Sequence, residues 1–75
     1  MIKQKGDIIF MKYRLKEARE KAGFTQMEVA EALNTAQYQV HKWETGKQEL
    51  SFARAIDLAT LYGVSLDYLA GMPID

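Results

Sequence analysis

The sequence predicts an all-α fold, a single compact domain of five short helices. Apolar residues recur every three to four positions in five segments, and most of these segments follow a Ser or Thr and stop at a Gly or Asn. No segment shows the strict alternation of apolar and polar residues that marks a strand. With 75 residues and no cysteine, the chain depends on packing and helix caps, without disulfides.

The first two helices are predicted between Met11 and Asn34. The apolar stripe of the first consists of Met11, Leu15, Ala18 and Ala22, and Gly23 ends it. Thr25 and Glu28 have the spacing of a capping box, which starts the second helix. Its buried face consists of Val29, Ala30 and Leu33, and Asn34 tolerates the left-handed turn that follows.

The remaining three helices are predicted from similar signals. The third runs from about Ala36 to Glu44 and is stopped by Gly46; its inward side consists of Ala36, Val40 and Trp43. The fourth follows Ser51, and its inward face consists of Phe52, Ala55, Ile56, Leu58, Ala59 and Tyr62, with Leu61 outside. The last follows Ser65, turns Leu66 and Leu69 inward, and cannot continue past Pro73.

The second and third predicted helices form the most informative pair. They are short, only Asn34 and Thr35 separate them, and the third carries polar and aromatic residues opposite its apolar side. Two helices joined by such a tight corner predict a helix-turn-helix motif, whose second helix enters the major groove of double-stranded DNA.

Four residues of the third helix have the chemistry that base recognition requires. Gln37 can pair bidentately with adenine, and Lys42 can donate to guanine. Tyr38 offers a hydroxyl group and a ring edge for a thymine methyl, and His41 can donate or accept. We predict that these four read bases; the alternative is a solvated polar face or, for Tyr38, a ring that contacts a protein partner.

Phosphate contacts, which position a protein without specifying sequence, are predicted at both ends of the motif. Gln26 lies in the first turn of the second helix, where backbone N–H groups and the helix dipole favour an anion. Lys47 follows the third helix directly. Thr45 and the Gly46 amide could add hydrogen bonds to the same strand.

Charge is distributed unevenly although the net charge is zero. Residues 1–24 contain seven Lys and Arg against three acids, and residues 25–75 are acidic to the same extent. An anionic partner is therefore expected to approach the side formed by the first helix and by Lys42 and Lys47. Neutral net charge also predicts modest non-specific affinity for DNA and a steep dependence on salt.

Enzymatic, metal-binding and membrane functions are disfavoured. One histidine and no cysteine supply neither a nucleophile–base pair nor a zinc site, and no Gly-rich phosphate loop is present. We expect no cofactor and no small-molecule substrate. The longest apolar run, at residues 8–11, is too short to span a bilayer, and we expect a soluble cytoplasmic protein.

Several runs together resemble one family. They are Arg14-Leu-Lys-Glu-Ala-Arg19, Gly23-Phe-Thr-Gln26, Val29-Ala-Glu31, Trp43-Glu-Thr-Gly-Lys47 and Gly63-Val-Ser-Leu-Asp-Tyr-Leu69. With ordinary spacing over about residues 12–71, they resemble the Cro/phage-repressor (XRE-type, lambda-repressor-like) helix-turn-helix family. The resemblance implies a five-helix DNA-binding domain, usually a homodimer on a near-palindromic operator.

The resemblance also implies roles for individual residues. Positions matching Gln37, Tyr38 and Lys42 commonly face bases in the family, and those matching Gln26 and Lys47 hold phosphates. The equivalent of Arg19 pairs with the equivalent of Glu44, which implies a structural ion pair. One departure is Ala36, where the family usually has a Ser or Thr cap, so that the cap has to come from Thr35 or solvent and the helix start can differ by one residue.

Three regions are predicted along the chain: an N-terminal extension at residues 1–10, the DNA-binding domain at 11–72, and a tail at 73–75. The extension has three interpretations: a disordered leader before Met11, a one-turn extension of the first helix, or an edge strand exchanged between subunits. Five apolar residues are candidates for a dimer contact, namely Met27, Leu61, Ile8, Ile9 and Phe10.

The sequence thus predicts a sequence-specific transcriptional regulator that binds double-stranded DNA, a repressor of bacterial or phage type. The alternative is a protein-interaction module of the same fold, such as an antitoxin or adaptor. No part of the sequence identifies the operator.

Overall fold

The computed structural model describes residues 13–71, which form five helices. In chain order they are α1 (Leu15–Ala22), α2 (Gln26–Ala32), α3 (Gln37–Thr45), α4 (Phe52–Tyr62) and α5 (Leu66–Leu69). No strand occurs between residues 13 and 71. The predicted N-terminal extension, with its three interpretations, and the tail at 73–75 lie outside the described residues.

Helix α1 begins later than predicted. Tyr13 and Arg14 are not helical, and Arg14 occupies the N-cap position without a side-chain cap. The backbone N–H of Arg14 donates to the carbonyl oxygen of Leu69 at 2.8 Å, which ties the entrance of α1 to the end of α5. The helix that contains Leu15, Ala18 and Ala22 thus starts at Leu15, after the predicted start near Met11.

Helix α2 has the predicted start and end. The Thr25 hydroxyl oxygen accepts the N–H of Glu28 at 3.1 Å, and the Glu28 carboxylate accepts the N–H of Thr25 at 2.8 Å, which completes the capping box. Leu33 is the C-cap, and Asn34 turns the chain with a φ of 56°. This left-handed residue gives the motif its tight corner.

Helix α3 begins at Gln37, one residue after the predicted start. Ala36 is the N-cap, and no side chain caps the first turn, so Thr35 does not substitute for the missing hydroxyl group. The helix ends at Gly46, whose φ of 76° is the left-handed conformation that glycine adopts without steric cost. Ser51 and Ser65 cap α4 and α5 through their side chains, as predicted.

The core lies where the five helices meet. Its buried apolar residues are Leu15, Ala18, Val29, Ala30, Leu33, Val40, Trp43, Leu58, Ala59, Tyr62 and Leu69. All of them belong to predicted inward faces, and Trp43 is a core residue with 4% of its surface exposed. Close packing of this set, which includes fully buried Leu15, Val29, Val40 and Leu58, joins every helix to the same core.

The predicted inward faces were too broad in three helices. Ala22 and Ala36 are exposed, and on α4 Phe52 and Ile56 remain 72% and 42% exposed. Leu61, predicted outside, packs against the core. The buried arc of α4 is thus rotated towards Leu61, and on the same side Arg54 bonds the Leu33 carbonyl oxygen at the end of α2.

Helix α5 is held against α1 by polar contacts as well as by Leu69. The Tyr68 hydroxyl group donates to a Glu17 carboxylate oxygen at 2.7 Å, and Lys21 lies 3.2 Å from the same oxygen. The Tyr68 and Lys21 hydrogen bonds lower the pKa of Glu17, and the Glu17 contact raises the pKa of Lys21. None of the helices described is both long and apolar enough to cross a bilayer.

Substitutions at the N-caps of α2 and α3 should change the free energy of unfolding in opposite directions. Thr25→Ala should lower the free energy of unfolding by about 1 kcal/mol, because it removes the acceptor for the Glu28 amide. Ala36→Ser should raise it by a similar amount, about 1 kcal/mol, because it supplies the cap that α3 lacks. Urea unfolding followed by circular dichroism measures both, and destabilisation by Ala36→Ser would contradict the assigned start of α3.

Candidate nucleic-acid interface

The corner between α2 and α3 is built by backbone hydrogen bonds. The N–H of Thr35 donates to the carbonyl oxygen of Ala30 at 2.8 Å, and that of Asn34 donates to Glu31 at 3.2 Å. These bonds satisfy carbonyl groups that the end of a helix leaves unpaired. The corner is thereby closed within four residues, and α3 starts directly beyond it.

One arc of α3 presents the four predicted base readers. Gln37, Tyr38 and His41 are exposed and Lys42 is half-buried, whereas Val40 and Trp43 on the opposite arc are buried. Tyr38 is 63% exposed, a high value for an aromatic side chain. Because the opposite arc already attaches α3 to the core, packing does not account for these four side chains.

Tyr38 and Lys42 contact each other. They are one helical turn apart, and Lys42 Nζ lies 4.9 Å from the centroid of the Tyr38 ring, within the range of a cation–π interaction. The ring therefore orients the ammonium group. The two side chains form one surface with a positive end and an aromatic side.

A buried ion pair connects α3 to α1. Arg19 Nε donates to Glu44 Oε2 at 2.6 Å and Nη2 donates to Oε1 at 3.2 Å, a bidentate arrangement between α1 and α3. Only 10% of the Arg19 side chain and 3% of the Glu44 side chain are exposed. Arg19 Nη1 also donates to the carbonyl oxygen of Phe24, and the hydrogen bond to Glu44 raises the pKa of Arg19.

Gln26 belongs to the same network, which the sequence did not indicate. Its Nε2 donates to Glu44 Oε1 at 2.9 Å, so the side chain predicted to hold a phosphate group is attached to the ion pair. The two residues are 18 positions apart, and no spacing rule links them. Glu44 therefore receives donors from both α1 and α2.

The end of α3 carries the other predicted phosphate contacts. Thr45 donates its hydroxyl hydrogen to the carbonyl oxygen of His41 at 2.9 Å, which leaves only its oxygen lone pairs for another partner. The Gly46 N–H donates to the carbonyl oxygen of Trp43 at 3.3 Å, so this amide already has a partner within the end of α3. The Lys47 side chain is exposed.

Tyr62 packs close to this network from α4. Its ring lies 6.2 Å from that of Phe24. Burial, and next the negative charge of Glu44, raise the pKa of Tyr62 to about 12. The Tyr62 hydroxyl group is therefore neutral beneath the motif throughout the physiological range, and the Glu44 charge is balanced by Arg19.

Metal ligands do not gather in the part of the chain that the structure describes: no three His, Asp or Glu side chains of residues 13–71 are arranged to hold an ion. The polar groups of the motif bond to one another or point to solvent. No buried side-chain nitrogen or oxygen within this range lacks a hydrogen-bond partner.

Two short helices around a closed corner, with a polar arc on the second helix and a buried ion pair beneath it, define a helix-turn-helix domain. The family described as Helix-turn-helix matches residues 15–69. The chain belongs to this family, in its Cro/phage-repressor (XRE) type, and has the all-α lambda-repressor-like fold.

A curated relative covers most of the chain. The HTH-type transcriptional regulator ImmR of Bacillus subtilis (strain 168) is 45% identical over 58 residues, which are 77% of this chain and 46% of that protein. The chain thus spans about half the length of the relative that it matches.

Proposed function

We propose that this chain binds double-stranded DNA in a sequence-specific manner and regulates transcription, as a repressor of bacterial or phage type that occupies a near-palindromic operator. The observation that carries the proposal is the polar arc of α3, exposed opposite a fully packed face. The name of its relative, a transcriptional regulator, supports it. We place the protein in the cytoplasm, where operator DNA of this type lies, and assign it no catalytic activity.

Base recognition is assigned to four side chains. Gln37 lies in the first turn of α3, where a recognition helix meets base edges, and pairs with adenine N6 and N7. Lys42, oriented by the Tyr38 ring, donates to guanine O6 or N7. The Tyr38 ring edge lies against a thymine methyl, and His41 makes an adaptable hydrogen bond.

The exposed surface of α3 formed by Gln37, Tyr38, His41 and Lys42 is called the reading arc. Phosphate binding is assigned to Lys47, Gln26 and Thr45, on either side of this arc. Lys47 provides the charge. Gln26 keeps its carbonyl oxygen and one amide hydrogen beyond the bond to Glu44, so it can contact a phosphate oxygen without leaving the network. Thr45 contributes only if its hydroxyl hydrogen leaves the His41 carbonyl, and we rank it third.

A homodimer would present two reading helices to two half-sites, roughly 10–10.5 bp apart. The rival function is a protein-interaction module, and the observation that favours it is the exposure of Phe52 and Ile56, one turn apart on α4. A dimer contact at this surface would account for the same exposure, so the exposure alone does not separate the two functions.

The salt dependence of duplex binding separates the DNA-binding function from the protein-interaction function. Binding of a duplex selected from a randomised pool should weaken linearly in a log–log plot of affinity against salt, with a slope of about 0.9 for each phosphate neutralised. Fluorescence anisotropy at several salt concentrations measures the slope. A protein-interaction module would instead show no preference for any duplex, and that result would remove the DNA-binding proposal.

Readers and phosphate contacts should differ in their mutants. Gln37→Ala should cost about 1–3 kcal/mol on the selected duplex and alter the preferred base at one position, because it removes a base contact. Lys47→Ala should weaken all duplexes alike and reduce the salt slope by about 1. Gln48→Ala, an exposed glutamine beyond the end of α3, is the matched control and should change neither. Equal losses on every duplex for both Gln37→Ala and Lys47→Ala would refute the division of roles.

A further inference from the structure

Arg54 lies on α4, yet its guanidinium group contacts both helices of the motif. Its Nη1 donates to the carbonyl oxygen of Leu33, the C-cap of α2, at 2.8 Å. Its Cζ lies 5.8 Å from the centroid of the Trp43 ring on α3. One side chain from outside the motif therefore links the end of α2 to the buried side of α3.

The contact with Leu33 occurs where α2 needs a donor. The last carbonyl groups of a helix have no intrahelical partner, and the negative end of the helix dipole favours a cation. Asn34 then reverses the chain with positive φ, so that the Leu33 carbonyl marks the point where the corner begins. A charged donor at this oxygen fixes the corner to α4.

The contact with Trp43 acts on the buried side of α3. Trp43 is 4% exposed and lies on the arc opposite Tyr38 and His41. A guanidinium group within about 6 Å of an indole face is held there by the ring quadrupole. Arg54 is thus remote from the reading arc and can influence it only through the position of α3.

The start of α3 depends on such contacts. Ala36 provides no side-chain cap, so the first turn of α3 is placed by packing and by the corner itself. The ion pair at Glu44 and the Arg54 contact with the neighbouring Trp43 ring both act on the last turn of α3, and Arg54 also bonds the Leu33 carbonyl oxygen at the corner. Arg54 therefore links the corner to the last turn of α3 and constrains the angle between α2 and α3.

We propose that Arg54 is a positioning residue for DNA recognition: by joining the Leu33 carbonyl to the Trp43 ring, it sets the angle between α2 and α3 and hence the place of the reading arc in the groove. This inference rests on the proposed function. It requires a planar cation with several donors, because an ammonium group cannot bond the carbonyl oxygen and cover the ring in the same geometry. The same guanidinium group also contacts Asp57, whose Oδ2 lies 3.9 Å from Nη1.

Arg54→Lys is the informative variant because it keeps the charge. Affinity for a duplex selected by the wild-type protein, divided by affinity for a scrambled duplex of equal length, should fall about fivefold, the lower limit for loss of one base contact. The salt slope should stay unchanged, since no phosphate contact is lost. Arg14→Lys is the matched control, because Arg14 stacks on Tyr68 at 4.9 Å, away from the motif, and it should leave the ratio unchanged.

All proteins are compared at a temperature where thermal melts show each of them to be fully folded. If Arg54→Lys does not fold, Arg54→Gln replaces it, because glutamine keeps a planar donor without the charge. If the Arg54 variant keeps the full wild-type preference for the selected duplex, the positioning role of Arg54 is refuted and the proposed function is unaffected. Absence of any preference in the wild-type protein overturns the proposed function and the inference with it. A reduced ratio in the Arg54 variant with an unchanged ratio in Arg14→Lys supports the inference.

Discussion

The buried carboxylate of Glu44 is the constraint on which the rest of the motif depends. It lies on the last turns of α3 with 3% of its side chain exposed, and a charge so buried has to be matched by donors. Arg19 supplies two of them from α1 and Gln26 supplies one from α2. Three helices are therefore held in one relative position by the need to satisfy a single group.

This arrangement separates the tasks of α3. Val40 and Trp43 bind it to the core and Glu44 fixes its end, so the opposite arc carries no packing load. Substitutions at the exposed Gln37 and His41 therefore leave core packing intact. Thr45 and Gly46, by contrast, use their donors to close the end of α3, whereas the Lys47 side chain is exposed to solvent.

Local signals predicted most of the fold, because they act over three or four residues. The Thr25 and Glu28 capping box and the turn at Asn34 are set by neighbours in sequence, and they occur where they were predicted. The start of α1 and the exposed side of α4 were predicted wrongly. At both places the chain contacts groups that are distant in sequence: Arg14 bonds the Leu69 carbonyl oxygen, and Arg54 bonds the Leu33 carbonyl oxygen. The exposure of Gln37, Tyr38 and His41 on α3 followed from helical periodicity. The attachment of Gln26 to Glu44 spans 18 positions and has no local signal.

A double-mutant cycle on Arg19 and Glu44, measured by urea unfolding, tests most directly whether this ion pair fixes α3. Arg19→Met and Glu44→Met should each lower the free energy of unfolding by roughly 3–5 kcal/mol, because each leaves a buried charge unpaired. The double variant should lose much less than the sum of the two, whereas the same cycle on the exposed pair Glu17 and Lys21 should be nearly additive. Additive losses at Arg19 and Glu44 would contradict the claim that this pair holds the reading helix in place.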